Sequence, residues 1–478
     1  MEQKSLRTQL HSELFDVKNE YDLSYIWFIS LAAALGGLLF GYDWVVIGGA
    51  KPFFERFFGL TDAVQKGWAN SCALLGCLFG ALLAGGLSDR LGRKKLLLLA
   101  ASLFAITSLG NASAGTFAVF VSWRVFGGTA IGLASNLSPL YIAEIAPAHM
   151  RGKLVSINQL TIVIGILAAQ FVNYNIAEPI PVGAIQETLR TSWNCTTGWR
   201  WMFAATAIPS LFFFVSIFFI PESPRWLIKS GKLEKAIRVL EQIGGSSYAT
   251  RTAGEIEETL SRETAKIRFR ELLAPGLRNV LFLGIILAVF QQWCGINVIF
   301  NYAEEVFTAA GYNISSTLAN IAWTGSVNLA FTLVALGVVD RRGRRFLLLF
   351  GSAGLAAIYT ILGSCFFLGV KGLPMLLLVL FAIACYSMSL APVTWVVISE
   401  IFPNRIRGAA MSVAVFSLWT ACFILTLTFP QLNASLGPAG TFWIYAAICV
   451  GGFFFVRSRL PETKGKTLEE IERELVCR

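Results

Sequence analysis

Residues 25–50 read YIWFISLAAALGGLLFGYDWVVIGGA, an apolar stretch long enough to cross a lipid bilayer, which takes about 20 such residues as a helix. The stretch holds one charge, Asp43. A carboxylate in hydrocarbon costs at least about 2.5 kcal/mol, so such a residue is typical of a functional site that faces a partner charge or a water-filled cavity. Five glycines in the same stretch predict close contact with neighbouring helices: Gly36, Gly37, Gly41, Gly48 and Gly49.

The composition of the whole chain indicates a membrane protein in contact with the lipid bilayer. Of its 478 residues, 55% are hydrophobic and 14% are charged, whereas a soluble domain has about 25% charged residues. The net charge of +10 comes from short basic clusters between apolar runs. This pattern is typical of cytoplasmic loops rather than of a nucleic-acid-binding surface. The two histidines and nine cysteines show no metal-site spacing, and we expect no disulfide, metal or cofactor.

Twelve apolar runs follow one another along the chain. We place the predicted spans at residues 25–50, 68–88, 96–113, 116–143, 153–175, 200–220, 280–303, 317–339, 346–369, 373–399, 408–432 and 440–456. The uncharged stretch 408–456 is too long for one span, and the turn-forming segment 433–440 divides it. The basic clusters follow even-numbered spans, so both termini and the long loop 221–278 are predicted to be cytoplasmic. Mixed charges at helical spacing predict short helices in that loop.

Three motifs occur twice, in the same order and roughly 250 positions apart. They are Asp-Arg-x-Gly-Arg at 89–93 and 340–344, Glu-Ile-x-Pro followed by Arg-Gly at 144–152 and 400–408, and Pro-Glu-Ser or Pro-Glu-Thr at 221–223 and 461–463. The repeat predicts two parallel six-helix halves around a central site. The predicted domains are an N-terminal segment, a first half, a helical linker, a second half and a C-terminal tail, at residues 1–23, 24–220, 221–278, 279–459 and 460–478.

The repeated motifs bring carboxylates and guanidinium groups to predicted cytoplasmic helix ends, where Arg binds carboxylates as a planar fork. We expect a network that latches the cytoplasmic side and breaks when the halves move. Its predicted members are Asp89, Arg90, Arg93, Glu144, Arg151, Glu222 and Arg225 in the first half, and Asp340, Arg341, Arg344, Glu400 and Arg407 in the second. The alternative is that the basic residues only set topology and the acids balance them, which does not explain the repeated acid positions.

Four further segments complete a family resemblance: GGLLFGYD at 36–43, PESPRWL at 221–227, QQWCGIN at 291–297 and PETKGKT at 461–467. Together with the repeated motifs they resemble the sugar porter family of the major facilitator superfamily, and most of all its bacterial D-xylose:proton symporters. The resemblance implies an all-α membrane protein with twelve transmembrane helices. It also implies a pentose or hexose cargo similar to D-xylose or D-glucose, a location in the cell membrane and a monomeric state.

Amide side chains at membrane depth suit a sugar, because each offers donors and an acceptor without a net charge. Gln159 and Gln170 are separated by about three helical turns and so share one face of their helix. In the porters that this sequence resembles, the sugar pocket is lined by the positions matching Gln159, Gln291, Gln292, Asn297, Asn328, Trp395 and Trp419, and Gln170 is a further candidate. The alternatives are amides that bond helix to helix and tryptophans that only pack.

Three residues depart from the family pattern and leave the particular sugar open. Leu418 and Ile166 stand where relatives can carry an amide, and Asn301 replaces an aromatic residue beside Tyr302. The expected pocket therefore keeps its main amides but is less polar at its edges.

The resemblance also implies that Arg124, the one charge inside the fourth span, faces Asp43. Proton-coupled members of the family keep the acid, whereas facilitators often have a neutral residue there. We therefore predict a proton-coupled symporter in which protonation of Asp43 weakens its bond to Arg124. One alternative is a facilitative uniporter with a structural Asp43–Arg124 pair; another is a sugar sensor, which the short tail after Pro461 disfavours. The sequence holds no catalytic constellation, so we do not expect an enzyme.

Overall fold

A computed structural model describes residues 21–180, 186–262, 277–403 and 407–464, together with 274, 466, 470 and 473–475. Within these ranges all regular secondary structure is helical. In this part of the chain, eleven helical stretches, some of them made of consecutive short helices, are long and apolar enough to span a membrane. The predicted all-α membrane fold is therefore confirmed.

The first half begins with α1, whose N-terminus is capped by Asp22: the side chain accepts a hydrogen bond of 2.9 Å from Tyr25 N. The helix ends at Gly59, which has a φ of +66°. It is longer than the predicted span 25–50, so Lys51 and Glu55 are helical residues. The helices of this half are α1 Leu23–Phe58, α2 Ala63–Leu91, α3 Arg93–Ser113, α4 Phe117–Ile145, α5 Arg151–Ile176, α6 Gln186–Thr191, α7 Trp199–Ala204 and α8 Ala207–Phe219.

The linker is helical where the structure describes it, as its charge pattern predicts. It contains α9 Pro224–Lys229 and α10 Leu233–Arg262, and α10 bends at Gly244 and Gly245. The part of the predicted linker helices beyond Arg262, most of the N-terminal segment and much of the C-terminal tail lie outside the described residues. The domain boundaries remain a prediction.

The second half contains α11 Leu277–Trp293, α12 Ile296–Asn301, α13 Ala303–Ala309, α14 Ile314–Arg342, α15 Arg344–Phe367, α16 Leu373–Met388, α17 Leu390–Ile401 and α18 Arg407–Arg459. Two membrane segments follow one another within α18. The helix breaks between them at Gly437, which has a φ of +67° and precedes a proline that has no N–H to donate. The predicted turn at 433–440 is therefore present, and the eleven helical stretches supply the twelve predicted segments.

The glycines of α1 lie where other parts of the chain cross it closely, as predicted. A Cβ on Gly41 would lie 1.9 Å from Ile162 O of α5, and a Cβ on Gly165 of α5 would lie 2.0 Å from Leu38 O of α1. The two helices can therefore touch only because both lack a side chain at the crossing. The other four glycines are similarly placed: Gly36 against Ser138, Gly37 against Asn158, Gly48 against Phe300 and Gly49 against Asn173.

The two halves contact each other towards one end of their helices. We call the side that carries α9 and α10 the linker face and the opposite side the far face. Towards the far face, a Cβ on Gly67 of α2 would lie 2.3 Å from Leu427 O of α18. There too, Gln170 Nε2 of α5 donates to Thr324 Oγ1 of α14 at 3.2 Å. The structure therefore has its halves closed at the far face.

We expect Gly41→Leu to lower the melting temperature of the purified protein by about 1–3 °C or more, because overpacking a helix crossing costs about 1–3 kcal/mol or more. Gly85→Leu is the matched control, since a Cβ on Gly85 of α2 has no atom within 4 Å. Thermal unfolding in detergent measures both variants. Equal losses would show that the α1–α5 crossing tolerates a side chain.

Candidate functional site

Asp43 and Arg124 face each other across α1 and α4. Arg124 Nη1 lies 3.2 Å from each carboxylate oxygen of Asp43, and the two residues are only 4% and 2% exposed. One turn further along α4, a Cβ on Gly128 would lie 1.8 Å from Ala73 O, so this glycine lets α4 pack directly on α2. The contact that the resemblance implied is present.

The surroundings of this pair are apolar on one side and polar on the other. The ring of Phe203 lies 5.5 Å from Arg124 Cζ. On another side is a cavity of about 10 Å³ whose polar lining residues are Asn70, Arg124 and Asn301. Within the described part of the chain, Arg124 Nε and Asn70 Oδ1 have no hydrogen-bond partner. The size and polarity of the cavity suit one water molecule beside the ion pair.

The predicted amides of the seventh span form one hydrogen-bonded chain. Gln291 Nε2 donates to Tyr386 Oη at 2.8 Å. Gln292 Nε2 donates to Gln291 Oε1, and Asn297 Nδ2 to Gln292 Oε1, both at 2.5 Å. The span is broken between α11 and α12 at Gly295, whose φ of +91° is readily adopted only by glycine. Such interrupted helices build the midplane sites of transporters.

The remaining amides differ in their contacts. Asn328 Oδ1 accepts a hydrogen bond of 2.7 Å from Ser387 Oγ of α16. Gln170 is 1% exposed and bonds Thr324 across the halves, so it does bond helix to helix. Gln159 is half-buried and has no hydrogen-bond partner among the described residues. Although Gln159 and Gln170 share a face of α5, Gln159 is the more accessible of the two amides.

The two predicted tryptophans also differ. Trp419 is 4% exposed, and its ring centroid lies 5.8 Å from both Phe40 and Trp44 of α1. Trp395 of α17 is 36% exposed and keeps part of its ring surface open. Because Trp44 also lines the cavity beside Arg124, it joins the tryptophan cluster to the ion pair.

Sequence reasoning missed four residues of this region: Trp44, Asn70, Tyr386 and Ser387. Asn70 is an amide inside the second predicted span, so its position at membrane depth is the same signal that marks the other amides. Tyr386 and Ser387 lie in an apolar run without a motif, and only the packing of α16 against α11 and α14 reveals their bonds.

The motif residues of the first half form a compact network at the linker face. Arg93 Nη2 lies 2.9 Å from Glu144 Oε1, and Arg93 Nη1 lies 3.2 Å from Asp89 Oδ1. Glu222 Oε1 accepts the backbone N–H groups of Arg93 at 2.9 Å and of Lys94 at 3.0 Å. These N–H groups open α3 and have no partner within the helix, so the carboxylate of Glu222 caps it.

The second half repeats this arrangement. Arg344 Nη2 lies 3.3 Å from Glu400 Oε1. The carboxylate of Glu462 accepts the N–H groups of Arg344 at 2.9 Å and of Arg345 at 3.2 Å, at the start of α15. The glycine before each capped helix has a matching φ, +94° at Gly92 and +90° at Gly343. The sequence repeat is therefore also a repeat of contacts.

Some predicted members do not join these networks. Arg90 and Arg151 are exposed, and neither forms an ion pair with a described residue. Arg93 begins α3 after the turn at Gly92, and its guanidinium contacts Asp89 at the end of α2, whereas the side chain of Arg90 is exposed. Arg341 is exposed and contributes its carbonyl oxygen, which accepts from Lys464 Nζ at 2.7 Å. The side chains of Asp340 and Arg407 lie outside the described part, and Arg225 has an interaction of its own.

Comparison with known proteins agrees with this geometry. A family model described as "Sugar (and other) transporter" matches residues 29–475. The D-xylose-proton symporter of Escherichia coli (strain K12) is 40% identical over 489 residues, which covers 95% of this chain and 97% of that protein. The arabinose-proton symporter of Bacillus subtilis (strain 168) is 38% identical over 471 residues, with coverage of 98% and 99%.

A solved structure is similar over nearly the same length. It is the partially occluded inward open conformation of the xylose transporter XylE from E. coli, with a TM-score of 0.82 and 38% identity, covering 93% of this chain and 100% of that one. The family model matches nearly the whole chain, and the relatives share 38–40% of their residues with it over nearly their full length. The chain is a multi-pass membrane protein that belongs to the sugar (and other) transporter family.

Proposed function

We propose that this protein is a proton-coupled monosaccharide symporter that works by alternating access. The observation that carries the proposal is the buried Asp43–Arg124 pair, which is connected through Trp44 to Trp419 of α18. The amide chain contacts the same helix, because Asn297 Nδ2 lies 3.8 Å from Cys422 Sγ. The D-xylose-proton and arabinose-proton symporters that the chain resembles support it. The cargo is a pentose or hexose of the D-xylose or D-glucose type, and the protein is a transporter rather than an enzyme.

A sugar enters this site by exchanging hydrogen bonds. The side chains of Gln291, Gln292 and Asn297 bond one another and Tyr386. Sugar hydroxyls donate and accept, so they can replace these bonds one for one. Such an exchange gives modest net affinity, which suits a site that must also release its cargo. Gln159, Asn328, Trp395 and Trp419 complete the proposed site, and Gln170 acts on it through its bond to Thr324.

The proton acts on the ion pair. A buried charge that loses its partner costs about 3–5 kcal/mol, so protonation of Asp43 makes the present arrangement of Arg124 unfavourable. The polar cavity lined by Asn70 and Asn301 offers the guanidinium a hydrated alternative. Protonation from outside therefore permits the inward swing, and deprotonation inside restores the pair. A potential of 100 mV supplies about 2.3 kcal/mol per charge, or about 50-fold accumulation.

The linker face is the cytoplasmic side in this proposal. The basic ends of α2, α3, α14 and α15 lie there, at Arg90, Arg93, Arg341 and Arg344, and basic residues favour the cytoplasmic side. Both termini are then cytoplasmic, and the protein is a monomer in the cell membrane. A structure closed at the far face is inward-facing, with the Asp43–Arg124 pair intact after proton release.

The two motif networks hold the cytoplasmic ends of each half. Arg93 with Glu144, and Arg344 with Glu400, close within their own halves and keep each half rigid. The latch between the halves is proposed for the outward-facing state, in which the linker-face ends approach one another. Its proposed members are Asp89 and Arg225 of the first half and Asp340, Arg341 and Arg407 of the second, whereas Glu222 keeps its capping role within the first half.

We expect Asp43→Asn to keep counterflow exchange of sugar but to lose accumulation driven by an imposed proton gradient, because the amide cannot carry the proton. Proteoliposome uptake with and without the gradient measures both activities. Asp62→Asn is the matched control, since Asp62 is exposed and its side chain makes no capping bond. Accumulation by Asp43→Asn equal to that of the wild type, or mere equilibration by the wild type, would favour the uniporter.

We expect Asn297→Ala to raise the sugar concentration for half-maximal counterflow about tenfold, because a buried hydrogen bond contributes about 1 kcal/mol and its lost partner adds to the cost. A competition panel of xylose, glucose, galactose, arabinose and fructose against one labelled sugar first identifies the cargo. Asn175→Ala is the control, because Asn175 is exposed and bonds only Phe171 O. Equal affinities in the two variants would remove Asn297 from the site.

A further inference from the structure

A lysine lies buried where the halves meet at the far face. Lys51 of α1 is 0% exposed. Its Nζ contacts Glu305 of α13 in the second half and lies 3.6 Å from Glu55 Oε1 on its own helix. The same ammonium lies 4.3 Å from the centre of the Tyr302 ring. None of these charges belongs to the sugar cluster or to the Asp43–Arg124 pair.

The charges around Lys51 form a chain that crosses from one half to the other. Lys66 of α2 lies 3.6 Å from Glu55, Glu55 lies beside Lys51, and Lys51 contacts Glu305. The chain alternates in sign, so each charge has an opposite neighbour. Only its last contact joins the halves, and that contact must break when the far face opens.

The geometry points to Lys51 as a positioning residue of the transport cycle that holds the far face shut through Glu305. In the closed state its ammonium is desolvated but has two carboxylates and an aromatic face as partners. In the open state it regains water and keeps Glu55, one turn away on α1. On opening, the free energy lost with the Lys51–Glu305 ion pair is offset by the hydration that the ammonium regains. The contact can therefore form and break reversibly in each transport cycle.

The effect of mutation follows from this balance. Lys51→Met leaves Glu55 and Glu305 facing each other with one lysine fewer, and their repulsion favours opening. The double variant Lys51→Met/Glu305→Gln removes both charges of the contact between the halves. Replacing a buried ion pair by uncharged groups of similar size is often neutral or stabilising, so this variant closes again.

Spin-label distances across the far face test the proposal. Labels at Val64→Cys and Ala434→Cys occupy exposed positions of the first and second half. The background carries Cys365→Ser and Cys477→Ser, and a sample without the introduced cysteines gives the signal of the remaining, buried cysteines. We expect Lys51→Met to raise the ratio of long to short distances at least tenfold over the wild type, and the double variant to restore the wild-type ratio.

Two further variants keep the test decisive. Glu305→Gln breaks the same contact from a partly exposed side chain and serves if Lys51→Met does not fold. Glu178→Gln removes the same charge from an exposed residue just past the far-face end of α5, which forms no ion pair with a described residue, and should keep the wild-type ratio. Unchanged distances in both Lys51→Met and Glu305→Gln would overturn the proposal.

This inference uses the alternating access of the proposed function but not its cargo or its proton. The readout is a distance, not uptake. If proton coupling fails in the uptake experiment, the proposed role of Lys51 is not affected. If the distances do not change in the Lys51 variants, the proposed symport is not affected.

Discussion

One buried ion pair constrains the whole arrangement. Asp43 can lie inside an apolar helix only because Arg124 reaches it across α1 and α4, where both are almost fully buried. That reach requires α4 to pack tightly on α2, and Gly128 allows this. It also requires α1 to sit close to α5, and Gly41 and Gly165 allow that. The glycines of this half therefore allow the ion pair to form as well as the helices to pack, because a looser bundle would hold Asp43 and Arg124 too far apart.

The internal repeat explains how each half can move as a unit. Glu222 caps α3 and Glu462 caps α15, each through backbone N–H groups that the helix itself cannot satisfy. Each capping residue comes from a segment that follows the last span of its half, so the cap joins the third helix of a six-helix unit to its end. Both contacts close within one half, and rocking does not stretch them.

The sequence allowed the helices, the repeat and most of the polar cluster to be predicted, because apolar length, repeated motifs and amides at membrane depth are local features. It did not reveal Lys51. That residue directly follows the predicted span 25–50, but α1 continues to Phe58 and its end is covered by α13. Burial by a distant segment leaves no local pattern. The same reason hides Tyr386, whose hydroxyl matters only because α16 packs beside Gln291.

The placement of the charges suggests how proton binding and sugar binding are coupled to the same conformational change. Asp43 and Lys51 lie on one helix, about 12 Å apart along its axis. Asn297 and Glu305 lie on the interrupted segment opposite, on either side of Tyr302, whose hydroxyl donates to Thr426 O at 2.6 Å. In the proposed cycle, a change at the ion pair acts on α1, and a sugar acts on the segment formed by α12 and α13. That segment contacts α1 through Glu305 and Lys51, so either event alone shifts only one side of that contact.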